Sequence, residues 1–345
     1  MLDDLKLIHE RDAQDALGVA STQWQQLVQD CTVSGSQNFN RIQNVVYAAM
    51  GGSALAAALV KDWADVRVPL EIVRDYNLPK YVSEDTLVIV SSYSGNTEET
   101  LSALAQAQEC NAQIAVITAG GTLQHIAEEK GYLLVELPET HFARSGTFAN
   151  AKAVLEVLAC AGILNRDDFV PQLTAAANFL ETASNSWLPN VATAHNLAKQ
   201  IAQELIGKSV VIYSGPRLYP AAYKWKLDCN ENAKQIAWVN QLPEFSHNEY
   251  TGWTKQPTDK PYGVVELRSS LEHPQIQKRF AVTGRLLSGM RPEPISVEVE
   301  GESVPEQLFW GVMLGDMMSI YLAVLGGTNP TPLEFVDKLK QALTE

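Results

Sequence analysis

Apolar runs of a few residues alternate along the chain with longer stretches whose apolar positions recur every three or four residues, and this alternation predicts strands and helices in turn. Asn44-Val-Val-Tyr-Ala-Ala-Met50 reads as a strand, Gly51-Gly52 as a tight turn and the Ala/Leu-rich segment from Ser53 as a helix. Leu70–Arg74, Thr86–Ser91, Gln113–Thr118 and Gly131–Glu136 read as further strands, Ala119-Gly-Gly121 as a second turn, and residues 97–110 and Leu123–Lys130 as helices. Glu98 and Glu99 suit the positive first turn of the earlier helix. Near-continuous apolar strands separated by helices of this length call for a mainly parallel sheet covered on both faces, an α/β fold.

From Phe148 to about Ile206 the pattern is mostly helical, and Ser209–Pro216 then restarts the strand-and-turn theme. Strands are predicted at Tyr262–Leu267, Phe280–Thr283 and Ile295–Val299, with helices between them and at Pro305–Leu325 and Pro332–Leu343. Pro257–Pro261 and Gly284–Pro294 read as surface turns. The halves look like a degenerate duplication: an α/β unit over residues 1–160, a helical connection over 161–205 and a second α/β unit over 206–345.

At 345 residues and 46% hydrophobic composition the chain can bury a full core, with length for two domains. Its formal net charge of −14 argues against nucleic acid or an anionic membrane surface as partner, so an anionic ligand must be held by local geometry. The apolar stretches Val45–Val60 and Phe309–Leu325 are broken by Gly51-Gly52 and by Asp316, which suits buried core segments better than membrane spans. The opening Met-Leu-Asp-Asp-Leu-Lys carries no signal-peptide pattern, and a cytoplasmic location is expected. Cys31, Cys110, Cys160 and Cys229 are scattered, and the six histidines form no HxH or HExxH pair, so reduced structural thiols and no metal site are expected.

Two features point to chemistry. Ser91-Ser-Tyr-Ser-Gly-Asn-Thr97 lies between a strand and a helix, at the carboxyl edge of a parallel sheet, where helix N-termini turn unpaired N–H groups outward. Gly51 and Gly52 allow close backbone approach from the neighbouring turn, and the hydroxyls of Ser53, Ser92, Ser94 and Thr97 can complete a phosphate cradle. The chain has neither a GxxxxGK[ST] loop nor a GxGxxG after its first strand. Simple helix capping accounts equally for any one of these hydroxyls, though less well for the whole cluster. The second feature is Glu231 and His247, sixteen positions apart, a carboxylate and an imidazole suited to acid–base work. Alone, Glu231 also fits a solvated surface carboxylate, His247 a hydrogen-bonded structural group and Arg144 a surface ion pair.

The Gly51-Gly-Ser53 turn, the Ser92-Tyr-Ser-Gly-Asn-Thr-Glu-Glu-Thr100 loop and the Ile117-Thr-Ala-Gly-Gly121 turn together resemble the sugar isomerase (SIS) domain. Asn230-Glu-Asn-Ala-Lys234, Leu242-Pro-Glu, His247-Asn-Glu-Tyr-Thr-Gly-Trp253, Asn329-Pro-Thr-Pro-Leu and Leu339-Lys340 extend the likeness to the bifunctional phosphoglucose/phosphomannose isomerases. The resemblance implies two SIS-type subdomains, each a mainly parallel sheet flanked by helices. It also implies a homodimer whose active site lies between domains and takes one histidine from the other subunit. The activity implied is interconversion of glucose 6-phosphate or mannose 6-phosphate with fructose 6-phosphate through a cis-enediol, with no cofactor. In matching positions Glu231 is the base, His247 the ring-opening group, Arg144 the electrostatic stabiliser and Lys340, close to Lys338, the C-terminal lysine. Gly52, Ser53, Ser92, Ser94 and Thr97 hold the phosphate, and Thr331 governs tolerance at C2. His141-Phe-Ala-Arg144 departs from the family in lacking a proline before the arginine, and Ser-Gly-Thr-Phe-Ala-Asn after it is more polar than usual. A phosphosugar sensor without catalysis, or an isomerase of another (amino)sugar phosphate, are the alternatives.

Overall fold

The computed structural model describes residues 1–36, 38–140, 142–255 and 262–344. The chain divides into two compact units, Gln23–Phe179 and Met1–Thr22 together with Leu180–Glu345, termed here the hydroxyl-loop unit and the carboxylate unit. Both are α/β, as the alternating pattern predicts.

The hydroxyl-loop unit is built on strands β1 (Thr32–Ser34), β2 (Asn44–Ala49), β3 (Leu70–Val73), β4 (Thr86–Ser92), β5 (Gln113–Thr118) and β6 (Leu133–Glu136), in the order β1-β6-β5-β4-β2-β3. All neighbours pair in parallel except the edge strand β1, which runs antiparallel to β6. β4 is buried along its whole length, the burial expected of a central strand covered on both faces. The chain leaves β2 towards β3 on one side, and leaves β4 towards β5 on the other. The crevice between β2 and β4 is therefore the topological switch point, where open parallel sheets receive ligands.

The carboxylate unit contains β7 (Ser209–Ser214), β8 (Ala237–Gln241), β9 (Tyr262–Arg268) and β10 (Ile295–Glu298), all parallel, in the order β10-β9-β7-β8. That order repeats β5-β4-β2-β3 of the other sheet, so β7 stands for β2 and β9 for β4. The helix Val304–Gly326 is long and apolar enough to cross a membrane, but it is buried from Gln307 to Val324 against the helices of its own unit. Ser303 and Glu306 form a capping box at its start, and Gly327 closes it in the left-handed conformation. Arg11 Nη1 donates to the Val324 carbonyl at 2.5 Å, fastening the N-terminal segment to the end of this helix.

One predicted strand is corrected. Phe280–Thr283 lies inside the helix Pro274–Leu286, whose buried residues Ile276, Phe280 and Thr283 follow helical spacing and whose first turn is capped by His273. A short apolar run fits either period, and here the flanking pattern decides. The same helix takes in the first three residues of the predicted turn Gly284–Pro294. β8 is missed because only Ala237 is buried along it, leaving no apolar run to read. The predicted turn at Pro257–Pro261 lies outside the described residues.

Candidate active site

In the hydroxyl-loop unit the turn after β2 and the loop after β4 leave neighbouring strands at the same sheet edge, with Ala49 paired to Ser91. Gly51 begins the helix Gly51–Lys61 at φ +51°, a conformation that needs glycine. No side chain caps this helix at Met50. The helix Glu98–Glu109 likewise receives no side-chain cap from Thr97. Instead the Thr97 hydroxyl sits 2.7 Å from that of Ser92, which is 3.4 Å from that of Ser94. The loop hydroxyls therefore face one another rather than the helix amides, and both N-termini keep their outward N–H groups for an anion. A Cβ at Gly51 or Gly52 meets nothing within 4 Å.

The loop is held from below and from the side. Gly95, at φ +67°, lies so close to the Gly120 carbonyl that an added Cβ falls 1.8 Å from it. Asn96 Oδ1 accepts from the amide and hydroxyl of Thr122, at 3.0 and 2.8 Å. The buried Tyr47 hydroxyl donates to the Ser53 carbonyl at 2.9 Å and lies 3.3 Å from Asn150 Oδ1, which also accepts from Ser91. Burial pushes the Tyr47 phenol well above its ordinary pKa, so it stays a neutral donor.

Arg144 follows β6 in the 3₁₀ turn Ala143–Gly146, half-buried, with its guanidinium carbon 5.1 Å above the Phe142 ring. Tyr93, inside the hydroxyl loop, accepts from the Thr140 amide and hydroxyl at 2.7 and 2.9 Å. That contact binds the Arg144 segment to the loop. The polarity after Arg144 is structural: Ser145 Oγ donates to the Phe142 carbonyl, Thr147 Oγ1 to the Arg144 carbonyl, and Asn150 meets Tyr47. His141 lies outside the described residues.

In the carboxylate unit Glu231 is the last residue of the helix Tyr219–Glu231, half-buried. The residues on either side of it form a clamp. Asn232 Nδ2 donates to Ser319 Oγ at 2.9 Å, and Asn230 Oδ1 accepts from the Ala237 amide at the start of β8. Lys234, at φ +53°, reaches the carbonyls of Asn329 and Pro330 at 2.9 and 3.1 Å. Glu231 and Thr331 are thereby brought to one edge of the unit, Thr331 donating its amide to Asn329 Oδ1 at 2.9 Å.

About two helical turns before Glu231, Lys224 Nζ donates to Asp228 Oδ1 and to Asp316 Oδ1, all three side chains being buried. Burial and the Asp316 charge push the Asp228 carboxyl well above the usual carboxylate range, against the pull of Lys224. Trp225 Nε1 donates to the Gly311 carbonyl at 2.7 Å, and a Cβ at Gly315 falls 2.3 Å from the Trp225 ring. The sequence reading gave no role to Lys224, Asp228 or Lys234. For Lys224 and Asp228 the available signal is charge among the buried positions of a helix.

His247 ends the 3₁₀ turn Glu244–His247, exposed, beyond the carboxyl end of β8. The rest of its motif is a fastener. Glu249 accepts from the Tyr213 hydroxyl and, at 2.7 Å, from Asn240 Nδ2, and Trp253 Nε1 donates to the Tyr213 oxygen at 2.8 Å. Glu231 precedes β8 and His247 follows it, so they lie at opposite edges of this sheet, separated by a strand of about 16 Å. One carboxylate unit does not bring them together. Lys340 is in the helix Glu334–Thr344, but its side chain lies outside the described residues. Lys338 is exposed and 5.1 Å above the Phe335 ring.

The family models agree with this division. Residues 41–159 match the SIS domain, and residues 194–343 match the bacterial phospho-glucose isomerase C-terminal SIS domain. The chain is 33% identical over 313 residues to the bifunctional phosphoglucose/phosphomannose isomerase of Caldicellulosiruptor bescii, covering 88% of this chain and 90% of that one. It is 29% identical over 324 residues to the enzyme of the same name from Aquifex aeolicus, covering 93% and 94%. Among solved structures, tagatose-6-phosphate ketose/aldose isomerase from Escherichia coli superposes with a TM-score of 0.65 at 18% identity, over 96% of this chain and 94% of that one, which shows the shared fold.

Proposed function

We infer, from a chain that belongs to the bifunctional phosphoglucose/phosphomannose isomerase family, that it is an aldose–ketose isomerase interconverting glucose 6-phosphate and mannose 6-phosphate with fructose 6-phosphate. The observation that carries this reading furthest is the hydroxyl loop, whose Ser92, Ser94 and Thr97 bond to one another while the helix behind them goes uncapped. In this reading Gly52, Ser53, Ser92, Ser94 and Thr97 hold the phosphate. His247 moves the protons that open the ring. Glu231 takes the proton from C2 and returns it to C1, and Arg144 stabilises the charge that develops on oxygen in the enediolate. Glucose and mannose 6-phosphates differ only at C2 and share one enediol, and Thr331 is the residue assigned to tolerance of both configurations. Lys340 is retained as a further site residue. The cytoplasm is the compartment we assign.

The opposite placement of Glu231 and His247 supports a homodimer in which His247 of one copy completes the site around Glu231 of another. Two experiments test the reading. Fructose 6-phosphate formation from both aldoses should fall on the order of 10²- to 10⁴-fold in Glu231→Gln, the usual contribution of a general base, with the fold unchanged. Full turnover in that variant removes Glu231 from the chemistry. Mixing Glu231→Gln with His247→Ala after dissociation and reassociation should restore about a quarter of native activity, because half of a random population of symmetric dimers carries one intact site in two. No recovery on mixing, with mixed dimers demonstrated, rules out a site shared in this way.

A further inference from the structure

The two units share strand order, so the cradle after β2 has a counterpart after β7. There Gly215 leads into the 3₁₀ turn Pro216–Leu218 and the helix Tyr219–Glu231, again without a side-chain cap from the flanking residue. The counterpart of the hydroxyl loop, the segment after β9, is Ser269-Ser-Leu-Glu-His273. From it Glu272, 5% exposed, sends its carboxylate back to the β7 turn, where Oε1 accepts from the Arg217 amide at 2.8 Å. The amides of Leu218 and His273 also act on it. A Cβ at Gly215 falls 2.2 Å from Glu272 Oε1. Gly215 has an ordinary negative φ, so glycine is needed there for the close approach of the carboxylate, not for backbone conformation. Ser214, immediately before it, is fully buried with its hydroxyl unpartnered among the described residues. At the matching place in the other unit, a Cβ on Gly51 or Gly52 meets open space.

We propose that the Glu272 carboxylate is the built-in occupant of a second anion cradle, formed by Gly215 to Leu218 and Ser214, and that its removal opens a binding site for inorganic phosphate or a phosphate monoester. The carboxylate supplies the anionic oxygens that substrate phosphate supplies at the Ser92 loop, and it keeps the chain to one phosphosugar. The equivalence rests on reading the Ser92 loop as the phosphate cradle.

Calorimetric titration with inorganic phosphate, paired with thermal unfolding, tests this on the full chain. The native protein should bind one phosphate per chain, and Glu272→Ala two. The Tm lost in Glu272→Ala should return with phosphate and not with potassium chloride of equal ionic strength. Gly215→Ala should also lose Tm, yet gain no second phosphate, because its Cβ fills the cradle. One phosphate per chain in Glu272→Ala, with no phosphate-specific recovery of Tm, overturns the proposal. Should Glu272→Ala refold only in phosphate, the proposal is supported. Should it refold in neither buffer, Glu272→Ser takes its place, and a variant that binds no more phosphate than the native chain overturns the proposal. A native chain that binds none while Glu272→Ala binds one would sink the reading of the Ser92 loop and leave this one standing.

Discussion

The two units are built on one strand order and use it differently. In the hydroxyl-loop unit the turn after β2 is open, its helix is uncapped, and the groups supporting it, Tyr47, Ser91 and Asn150, are neutral. In the carboxylate unit the matching turn, after β7, is closed by Glu272, and the unit buries further charge: Lys224 with Asp228 and Asp316, and Glu266 with Arg291. A ligand dianion is best received by preorganised amides and hydroxyls that carry no charge of their own to desolvate. Catalytic side chains instead need their backbone fixed, and the buried pair of Lys224 with Asp316 ties the helix that ends at Glu231 to the helix Val304–Gly326. On the proposed reading, one strand order serves as a frame for binding in one unit and as a frame for holding Glu231 and His247 in the other.

The sharpest way to break this contrast is at the cradle. If Ser92 and Thr97 bond the phosphate as proposed, Ser92→Ala with Thr97→Val removes two hydroxyl bonds to a charged group, each about 1.5–3 kcal/mol, and kcat/KM should fall on the order of 10²- to 10⁴-fold. Most of the loss should appear in KM, since phosphate contacts are the same in ground and transition states. An unchanged KM would move the phosphate elsewhere. The next effect is on stability in the other unit. Lys224→Met strands Asp228 and Asp316 together in the core, and a broken buried pair costs about 3–5 kcal/mol. Denaturant titration reads this directly, and a midpoint equal to the native one would show that the trio contributes nothing to holding the helix that ends at Glu231.

How much of this was legible differs between the units for the same reason. The hydroxyl loop is contiguous, flanked by a fully apolar strand and an amphipathic helix, so pattern alone locates it. The carboxylate unit fixes the segment after Glu231 through Asn232 to Ser319 and Lys234 to Asn329, contacts that span almost a hundred positions, and no local period encodes such pairings. Phe280–Thr283 went wrong because four apolar-leaning residues carry too little periodicity, and β8 went unseen because Trp238 is exposed and Val239 to Gln241 are only half-buried. Glu272 gave no signal at all. Its role depends on a glycine fifty-seven positions away.

A gentler comparison sets Gly52 against Gly215. Gly52→Ala adds a methyl to open space at an ordinary φ, so unfolding should shift by less than about 0.5 kcal/mol. If Gly52 lines the phosphate cradle as proposed, the same methyl obstructs the ligand, and KM should rise while Tm holds. Gly215→Ala reverses this, losing Tm through its clash with Glu272. If both variants behaved alike, the two turns would not be the open and closed forms of one device.

The smallest expected effect is on the pH dependence of folding, and it belongs to the closed turn alone. Burial raises the Glu272 pKa above its ordinary 4.5, opposed by the amide and charge of Arg217 and by the amides of His273 and Leu218. A carboxyl that binds its proton more tightly when folded contributes stability in full below the unfolded pKa and loses it as pH rises through the folded one. The native chain should therefore give up a little stability as pH climbs from just below 4.5 through the raised value. Glu272→Gln keeps the shape and one acceptor oxygen but has no proton to release, so its stability should be flatter across that window. Among the described residues the hydroxyls of Ser92, Ser94 and Thr97 bond one another and no carboxylate, and variants such as Ser92→Ala should leave the slope where it is. A slope unchanged by Glu272→Gln, or one abolished by Ser92→Ala, would assign the acid sensitivity to the wrong turn and remove the charge difference on which the contrast between the two units rests.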